Sequence, residues 1–165
     1  MNRAIWCLRE GKELTVELCE RRAIEWDCTQ LLIRFYGLLD EKRYGELADL
    51  FADDGVWVRL GRELIGGPAI LTAMSDRDDW LTAHLVSNIR IHIMDADNVE
   101  TTQYVTLYRH EGRGEDEGPA PVVSPLGILR HRDRLGRVDG TWKFKRKTSR
   151  AIMANRDRVT HYDQK

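Results

Sequence analysis

Between Arg34 and Arg59 the sequence RFYGLLDEKRYGELADLFADDGVWVR passes from a helical apolar period, through a charged break, to two aspartates, a glycine and an apolar run. A helix, a short helix and then a strand, with Asp40 between the first two, suggests a fold built to enclose a pocket. Ile24, Cys28, Leu31, Leu32, Phe35, Leu38 and Leu39 recur at three-four spacing and make one wide stripe, so the pattern predicts an amphipathic helix from about Arg22 to Leu39. Gly37 weakens its last turn by about 1 kcal/mol relative to alanine, and DEKR reads as the break before a second helix, Tyr44 to Phe51. Asp53-Asp54-Gly55 then forms a turn into a strand from Val56 to Leu60. Residues 1–20 stay open between two readings: LTVEL alternates like a strand, whereas LCERRAIEW extends the helix backward.

Gly66-Gly67-Pro68 ends that strand region and opens a short helix to about Met74, with Pro68 at the first helical position. From Thr82 the period changes to two. Leu85, Ile89, Ile91 and Ile93 fall on one side and His84, Asn88, Arg90 and His92 on the other. Asp95 to Asn98 turns this strand into Val99 to Arg109, and residues 112–121 form a polar loop. Strands from Leu126 to Leu135 and from Thr141 to about Ala151 then meet at a turn over Gly136 to Gly140. Helices first and strands after imply an α+β domain in which a curved, mainly antiparallel sheet packs on the helices. The organisation expected is an extension over 1–21, one domain over 22–151 and a tail over 152–165. At 165 residues no second domain is needed, since a domain near this size already hides roughly 70% of the surface its unfolded chain exposes.

Lysine plus arginine (26) nearly cancels aspartate plus glutamate (27), so no global field favours nucleic acid or an anionic membrane. The apolar runs fall far short of the roughly 20 residues that cross a bilayer, and the N-terminus lacks a signal-peptide core. A cytoplasmic protein is expected. Cys7, Cys19 and Cys28 have no CxxC or Cys/His cluster around them and read as reduced packing thiols. Gly11, Gly61, Gly66 and Gly67 make no phosphate loop, and no H-x-H, HExxH or carboxylate cluster has ligand spacing, so neither metal nor cofactor is expected.

Alternation assigns faces. In LGILRHRDRL, Leu129, His131, Asp133 and Leu135 share one face and Arg130, Arg132 and Arg134 the other. Three arginines inside a small closed barrel would be electrostatically prohibitive, which turns His131 and Asp133 inward. On the preceding strand the isoleucine face competes with the histidine face. The allocation expected packs the isoleucines under the helices, lets His84 and Asn88 look into the pocket mouth, and runs Arg90 and His92 out to solvent. His110 and His161 read as surface histidines, Lys143, Lys145 and Lys147 as one solvated strand face, and Trp57, Trp80 and Trp142 as core or pocket wall.

LLDEKRYGELADLFADDGVWV, HLVSNIRI and RDRLGRVDGTWKFKRKT, taken together, resemble the SnoaL-like branch of the nuclear transport factor two-like superfamily, over about Ile24 to Thr148. The resemblance rests on the order of several loose patterns. It implies a cone-shaped α+β barrel of the cystatin-like type with the pocket inside, usually as a homodimer. The family hosts dehydratases, isomerases, cyclases, epoxide hydrolases and the non-catalytic small subunits of ring-hydroxylating dioxygenases, so the fold does not choose a reaction. Against scytalone dehydratase, a member of the superfamily, Asp40 stands at the site aspartate, His84 at a catalytic histidine and His131 opposite a site asparagine. Leu39 replaces a tyrosine of that site, the water-holding tyrosine falls near Arg59, and the second histidine aligns loosely with Arg109 or His110.

The chemistry these residues support is general acid–base work. An imidazole with an unperturbed pKa near 6.5 both takes and gives a proton near neutrality, and a carboxylate fixes its tautomer. Asp40 would orient His84, Tyr104 or Tyr108 would donate to a developing oxyanion, and Asn88, Trp57, Asp133 and Arg59 would line the pocket. The bland alternatives are that Asp40 caps the second helix or pairs with an arginine, and that His131 and Asp133 satisfy one another. Two functions remain: a cofactor-free lyase or isomerase acting on a small, apolar or aromatic, oxygenated ring compound, or a ligand-binding or accessory subunit like those of the dioxygenases.

Overall fold

Along the first helix the stripe drawn by Ile24, Cys28, Leu31, Leu32, Phe35, Leu38 and Leu39 is buried, and Tyr36 is buried with it. The computed structural model describes residues 12–111, 118–121, 124–155 and 157. Helix α1 runs Lys12–Asp40 and so settles the open N-terminal reading in favour of helix for the residues described. It ends through its C-terminal hydrogen bonds and not at Gly37: Lys42 takes φ 58°, Arg43 N–H donates to Leu38 O at 2.9 Å and Lys42 N–H to Leu39 O at 3.4 Å. That is the two-bond pattern which closes a helix on a left-handed residue, and it leaves Asp40 as the last helical residue. Helix α2 is Tyr44–Ala48, shorter than expected, because Phe51 already belongs to a strand.

The strands are β1 Phe51–Arg59, β2 Arg62–Ile65, β3 Leu81–Ile93, β4 Asn98–His110, β5 Gly127–Val138 and β6 Thr141–Ala154, with α3 Gly66–Ser75 between β2 and β3. They form one open sheet in the order β2-β1-β6-β5-β4-β3. Every pairing is antiparallel except β1 with β6. Helix α1 touches β3 at one edge of the sheet and also β6, three strands away, so the sheet curves around it. Phe35 from α1 meets Trp57 and Phe144 edge-on at ring separations of 5.2 and 5.4 Å, and Phe51 stacks on Trp57, closing one end of the concave face with aromatic packing.

Where the observed fold departs from the sequence pattern, the cause is tight turns and bulges. β2 was not expected. It pairs back on β1 through Leu60-Gly61, both at positive φ (49° and 75°), the two-residue turn that suits a hairpin twist but here lacks the usual Asn-Gly signature. Asp139-Gly140 makes the same turn between β5 and β6 with the expected chemistry (φ 47° and 77°). Asp53-Asp54-Gly55 is not a turn: it lies inside β1, where the register with β6 shifts between Phe51 and Val56. Gly55 is required there because a Cβ would sit 2.5 Å from Phe144 O. Three further shifts, at Ser87/Arg90 in β3 and at Ile128/Leu129 and Arg134/Leu135 between β5 and β6, insert an extra residue that exchanges inside for outside along its strand.

Cys28 is a free, buried thiol whose pKa is pushed up to about 12, chiefly by burial. Cys19 is disulfide-bonded, which corrects the expectation of reduced thiols throughout, and Cys7 lies outside the described residues. No described helix is long and apolar enough to cross a membrane.

Candidate active site

Tyr36 and Asp40 are one helical turn apart on α1, so their side chains leave the helix on the same side. Thr82 and His84 are two apart on β3 and likewise share a face. Where that helix end meets that strand, Asp40 is clasped. Its Oδ1 accepts from Thr82 Oγ1 at 2.8 Å and stands 2.5 Å from His84 Nδ1, while Oδ2 accepts the His84 backbone N–H at 2.8 Å. A carboxylate can only accept, so Nδ1 carries the proton and Nε2 is left as the basic nitrogen. The His84 side chain is 10% exposed and that of Asp40 24%, an arrangement half withdrawn from water. Among the described residues Asp40 therefore neither caps α2, whose N-cap residue is Arg43 without a side-chain cap bond, nor forms an ion pair with an arginine.

His131 lies on β5, buried, with its Nδ1 unpartnered. Burial first, then the charges of Lys147 and His84, holds its pKa well below the ordinary imidazole value, so the ring is neutral at pH 7. Tyr36 connects the two histidines: its ring centroid is 5.5 Å from that of His84 and 5.7 Å from that of His131. The three residues named for catalysis thus gather on the concave side, Asp40 and His84 directly and His131 through the Tyr36 ring.

Asp133 is also inward and buried, but His131 is not its partner. Its Oδ2 accepts from Lys147 Nζ at 3.0 Å and from Gln103 Nε2 at 2.7 Å, and its Oδ1 from Thr148 N–H at 3.2 Å. The mutually satisfied His131–Asp133 pair is corrected accordingly. Lys147, expected on a solvated strand face with Lys143 and Lys145, is fully buried. The pairings Leu135↔Phe144 and Arg134↔Arg146 skip Lys145, and this extra residue turns Lys147 onto the face of Trp142 and Phe144.

The remaining lining residues are dispersed. Trp57 is buried in the aromatic core, with the Arg59 guanidinium 6.0 Å from its ring. Asn88 is exposed at the β3 bulge with φ 51°, a left-handed conformation that asparagine tolerates. Because the bulge reverses the face, His84 and Val86 point in before it and Ile89, Ile91 and Ile93 after it; both competing stripes are interior, on different halves of one strand. Tyr104 and Tyr108 pair with Ser87 and Ala83, whereas His84 pairs with Leu107, so both tyrosines lie on the convex face, away from His84. They cannot serve the oxyanion role. Tyr104 instead lines an outer groove with Asn88, Arg90, Arg130 and Arg132. Tyr36, Thr82, Thr101, Gln103 and Lys147 are polar interior residues that the sequence pattern did not single out; the signal for Tyr36 was its one-turn spacing before Asp40. Among the described residues no group of three His, Cys, Asp or Glu side chains could hold a metal ion.

A sequence model described as a SnoaL-like domain matches residues 18–148. No curated protein matches the chain. Among solved structures, a candidate scytalone dehydratase from Novosphingobium aromaticivorans is 22% identical with a TM-score of 0.68, over 84% of this chain and 90% of that one. The hexachlorocyclohexane dehydrochlorinase LinA-type3 from Novosphingobium barchaimii is 19% identical with a TM-score of 0.67, over 83% and 92%. A protein from Catenulispora acidiphila, solved in complex with S-DNPA, is 23% identical with a TM-score of 0.64, over 79% and 94%. At these identities the likeness is one of fold, the cystatin-like α+β fold that further similar structures carry.

Proposed function

We propose that this chain, which belongs to the SnoaL-like domain family, is a cofactor-free lyase or isomerase acting on a small, apolar, oxygenated ring compound held on the concave side of the sheet. The observation that carries the reading is the 2.5 Å contact between Asp40 Oδ1 and His84 Nδ1, with both carboxylate oxygens tied down by Thr82 and the His84 backbone. An imidazole gripped at Nδ1 presents Nε2 in a fixed direction as a base, and the carboxylate stabilises the imidazolium once Nε2 has taken a proton. In the elimination branch, Nε2 takes a proton from the carbon next to a carbonyl, the C–H electron pair becomes the new C=C bond, and the hydroxyl on the neighbouring carbon departs. That hydroxide collects the proton from imidazolium and leaves as water, restoring the base. In the isomerase branch the same proton returns to a different carbon.

Two neighbours in fold are named for eliminations, one as a candidate dehydratase and one as a dehydrochlorinase, and another was solved with a small molecule bound. They support the reaction class and a small ligand without choosing the substrate. The test is turnover of a panel of cyclic β-hydroxyketones, followed by the ultraviolet absorbance of the conjugated enone. The native protein is expected to convert at least one, and His84→Ala to lose about 10²–10⁴-fold of that rate with the fold intact by circular dichroism. Full activity in His84→Ala, or no turnover of any member by the native protein, overturns the reading.

A further inference from the structure

The buried ion pair of Lys147 with Asp133 plays no part in the proton transfers above, and it is fully withdrawn from water, with both side chains 0% exposed. Lys147 Nζ donates to Asp133 Oδ2 at 3.0 Å and to the Tyr36 hydroxyl oxygen at 3.1 Å. Its remaining side faces aromatic rings, with Nζ 4.3 Å from the Phe35 centroid and 4.9 Å from that of Phe144. The ammonium is therefore enclosed by Asp133, the Tyr36 hydroxyl and aromatic rings. An ammonium can only donate, so the tyrosine oxygen is the acceptor in its bond to Tyr36. Burial, then the nearby Asp133 carboxylate, keeps the phenol pKa well above its ordinary value, so the proton stays on at neutral pH. Tyr36 is thus a protonated donor whose oxygen is fixed from behind. Its ring stands between the imidazoles of His84 and His131, beside the unpartnered Nδ1 of buried His131.

Resting on the acid–base function proposed above, we infer that Tyr36, held by the Lys147–Asp133 pair, donates its hydroxyl proton to the ligand oxygen that gains negative charge, so that the site selects carbonyl compounds that react as enolates. When His84 Nε2 takes a proton from the carbon next to the carbonyl, the C–H pair forms a C=C bond to the carbonyl carbon and the carbonyl π pair moves onto the oxygen; its return re-forms C=O as the neighbouring hydroxide leaves, the stepwise form of the elimination above. A donor backed by a buried cation stabilises that oxyanion more than the neutral carbonyl it came from, the condition for lowering a barrier. Tyr36 would be the catalytic contact, and Lys147 and Asp133 positioning residues. A cation buried solely to support the fold would be indifferent to ligand charge.

The closing experiment reads binding without turnover, so it is decided separately from the role of His84. 4-Nitrophenol, whose phenolate mimics an enolate and absorbs differently from the phenol, is titrated into the full chain at pH 7, with nitrobenzene as the chargeless control. The native protein is expected to bind 4-nitrophenol more tightly than nitrobenzene and to raise the bound phenolate fraction. Tyr36→Phe should weaken 4-nitrophenol by about 10–100-fold, the loss of one hydrogen bond to a charged group, and leave nitrobenzene unchanged. Lys147→Met alone leaves a buried unpaired carboxylate, so the neutral double variant Lys147→Met/Asp133→Asn is the companion; it should weaken 4-nitrophenol by about tenfold and lower the bound phenolate fraction while nitrobenzene holds. A native protein that does not prefer 4-nitrophenol to nitrobenzene, or a Tyr36→Phe variant that keeps the native affinity and phenolate fraction, overturns the inference.

Discussion

Two polar clusters line the concave face, and they differ in how far each is withdrawn from water. Asp40, Thr82 and His84 meet where the end of α1 crosses β3, with both ionisable side chains still partly exposed. Asp133, Lys147, Gln103 and Tyr36 meet across β4, β5, β6 and α1 one turn before its end, all buried. The first cluster keeps a basic nitrogen free of partners among the described residues, the state proton transfer needs. The second has its charges fully spoken for, the state that holds geometry. A charge lost from a dry site leaves its partner uncompensated, whereas water can soften the same loss at a half-open one.

Activity separates the two clusters most sharply. Asp40→Asn keeps the shape of the clasp but removes the charge that stabilises imidazolium, and turnover is expected to fall by about 10²–10⁴-fold, measured as enone formation. Equal rates in Asp40→Asn and the native protein would make the first cluster structural too. Stability should respond in the reverse order. Lys147→Ala or Asp133→Ala is expected to lose roughly 3–5 kcal/mol, read from the midpoint of urea unfolding, whereas Asp40→Ala should lose about 1–2 kcal/mol for its few partly wet hydrogen bonds. The bulge that lets both His84 and the isoleucines after it face inward gives a smaller effect. Asn88→Val forces a β-branched residue to φ 51° and should cost about 1–2 kcal/mol, while Asn88→Gly costs little or nothing.

The smallest effect is in pH dependence. His131 has a depressed pKa in the folded protein, so its neutral form is favoured by folding, and the unfolded chain binds the extra proton below its own value near 6.5. Its contribution is fully present above about pH 6.5 and is lost as pH falls below it, by at most about 1.4 kcal/mol per pH unit. His131→Asn should flatten that slope between pH 6.5 and 5 in urea unfolding; an unchanged slope would place the responsible group elsewhere.

Much of the fold was legible because it follows from local periods. The three-four stripe of α1, the Asp139-Gly140 turn and the burial of His131 and Asp133 opposite exposed Arg132 and Arg134 follow directly from period and turn chemistry. Of the candidate site, the Asp40–His84 contact came from the family resemblance, since nothing local joins residues 44 apart. Tyr104 and Tyr108 alternate with buried Gln103 and Val105 along β4 and so face outward, whereas Lys147 was read as solvated for a different reason. A strand's face is counted in steps of two, and an extra residue anywhere along it reverses every later assignment. Lys145 and the Ser87–Arg90 segment are such residues, and neither carries a local signature strong enough to announce itself.

What the chain determined by itself is the amphipathic stripe of α1, the order of helices first and long strands after, and the tight turn at Asp139-Gly140, because these depend on neighbours a few residues apart. Only the tertiary structure decided which polar side chains face inward, that Tyr36 stands between two imidazoles, and that an ammonium is buried against a carboxylate. Those outcomes depend on bulges selected by pairing and packing over the whole sheet, where the gain from burying one complete face outweighs any single residue's preference for water.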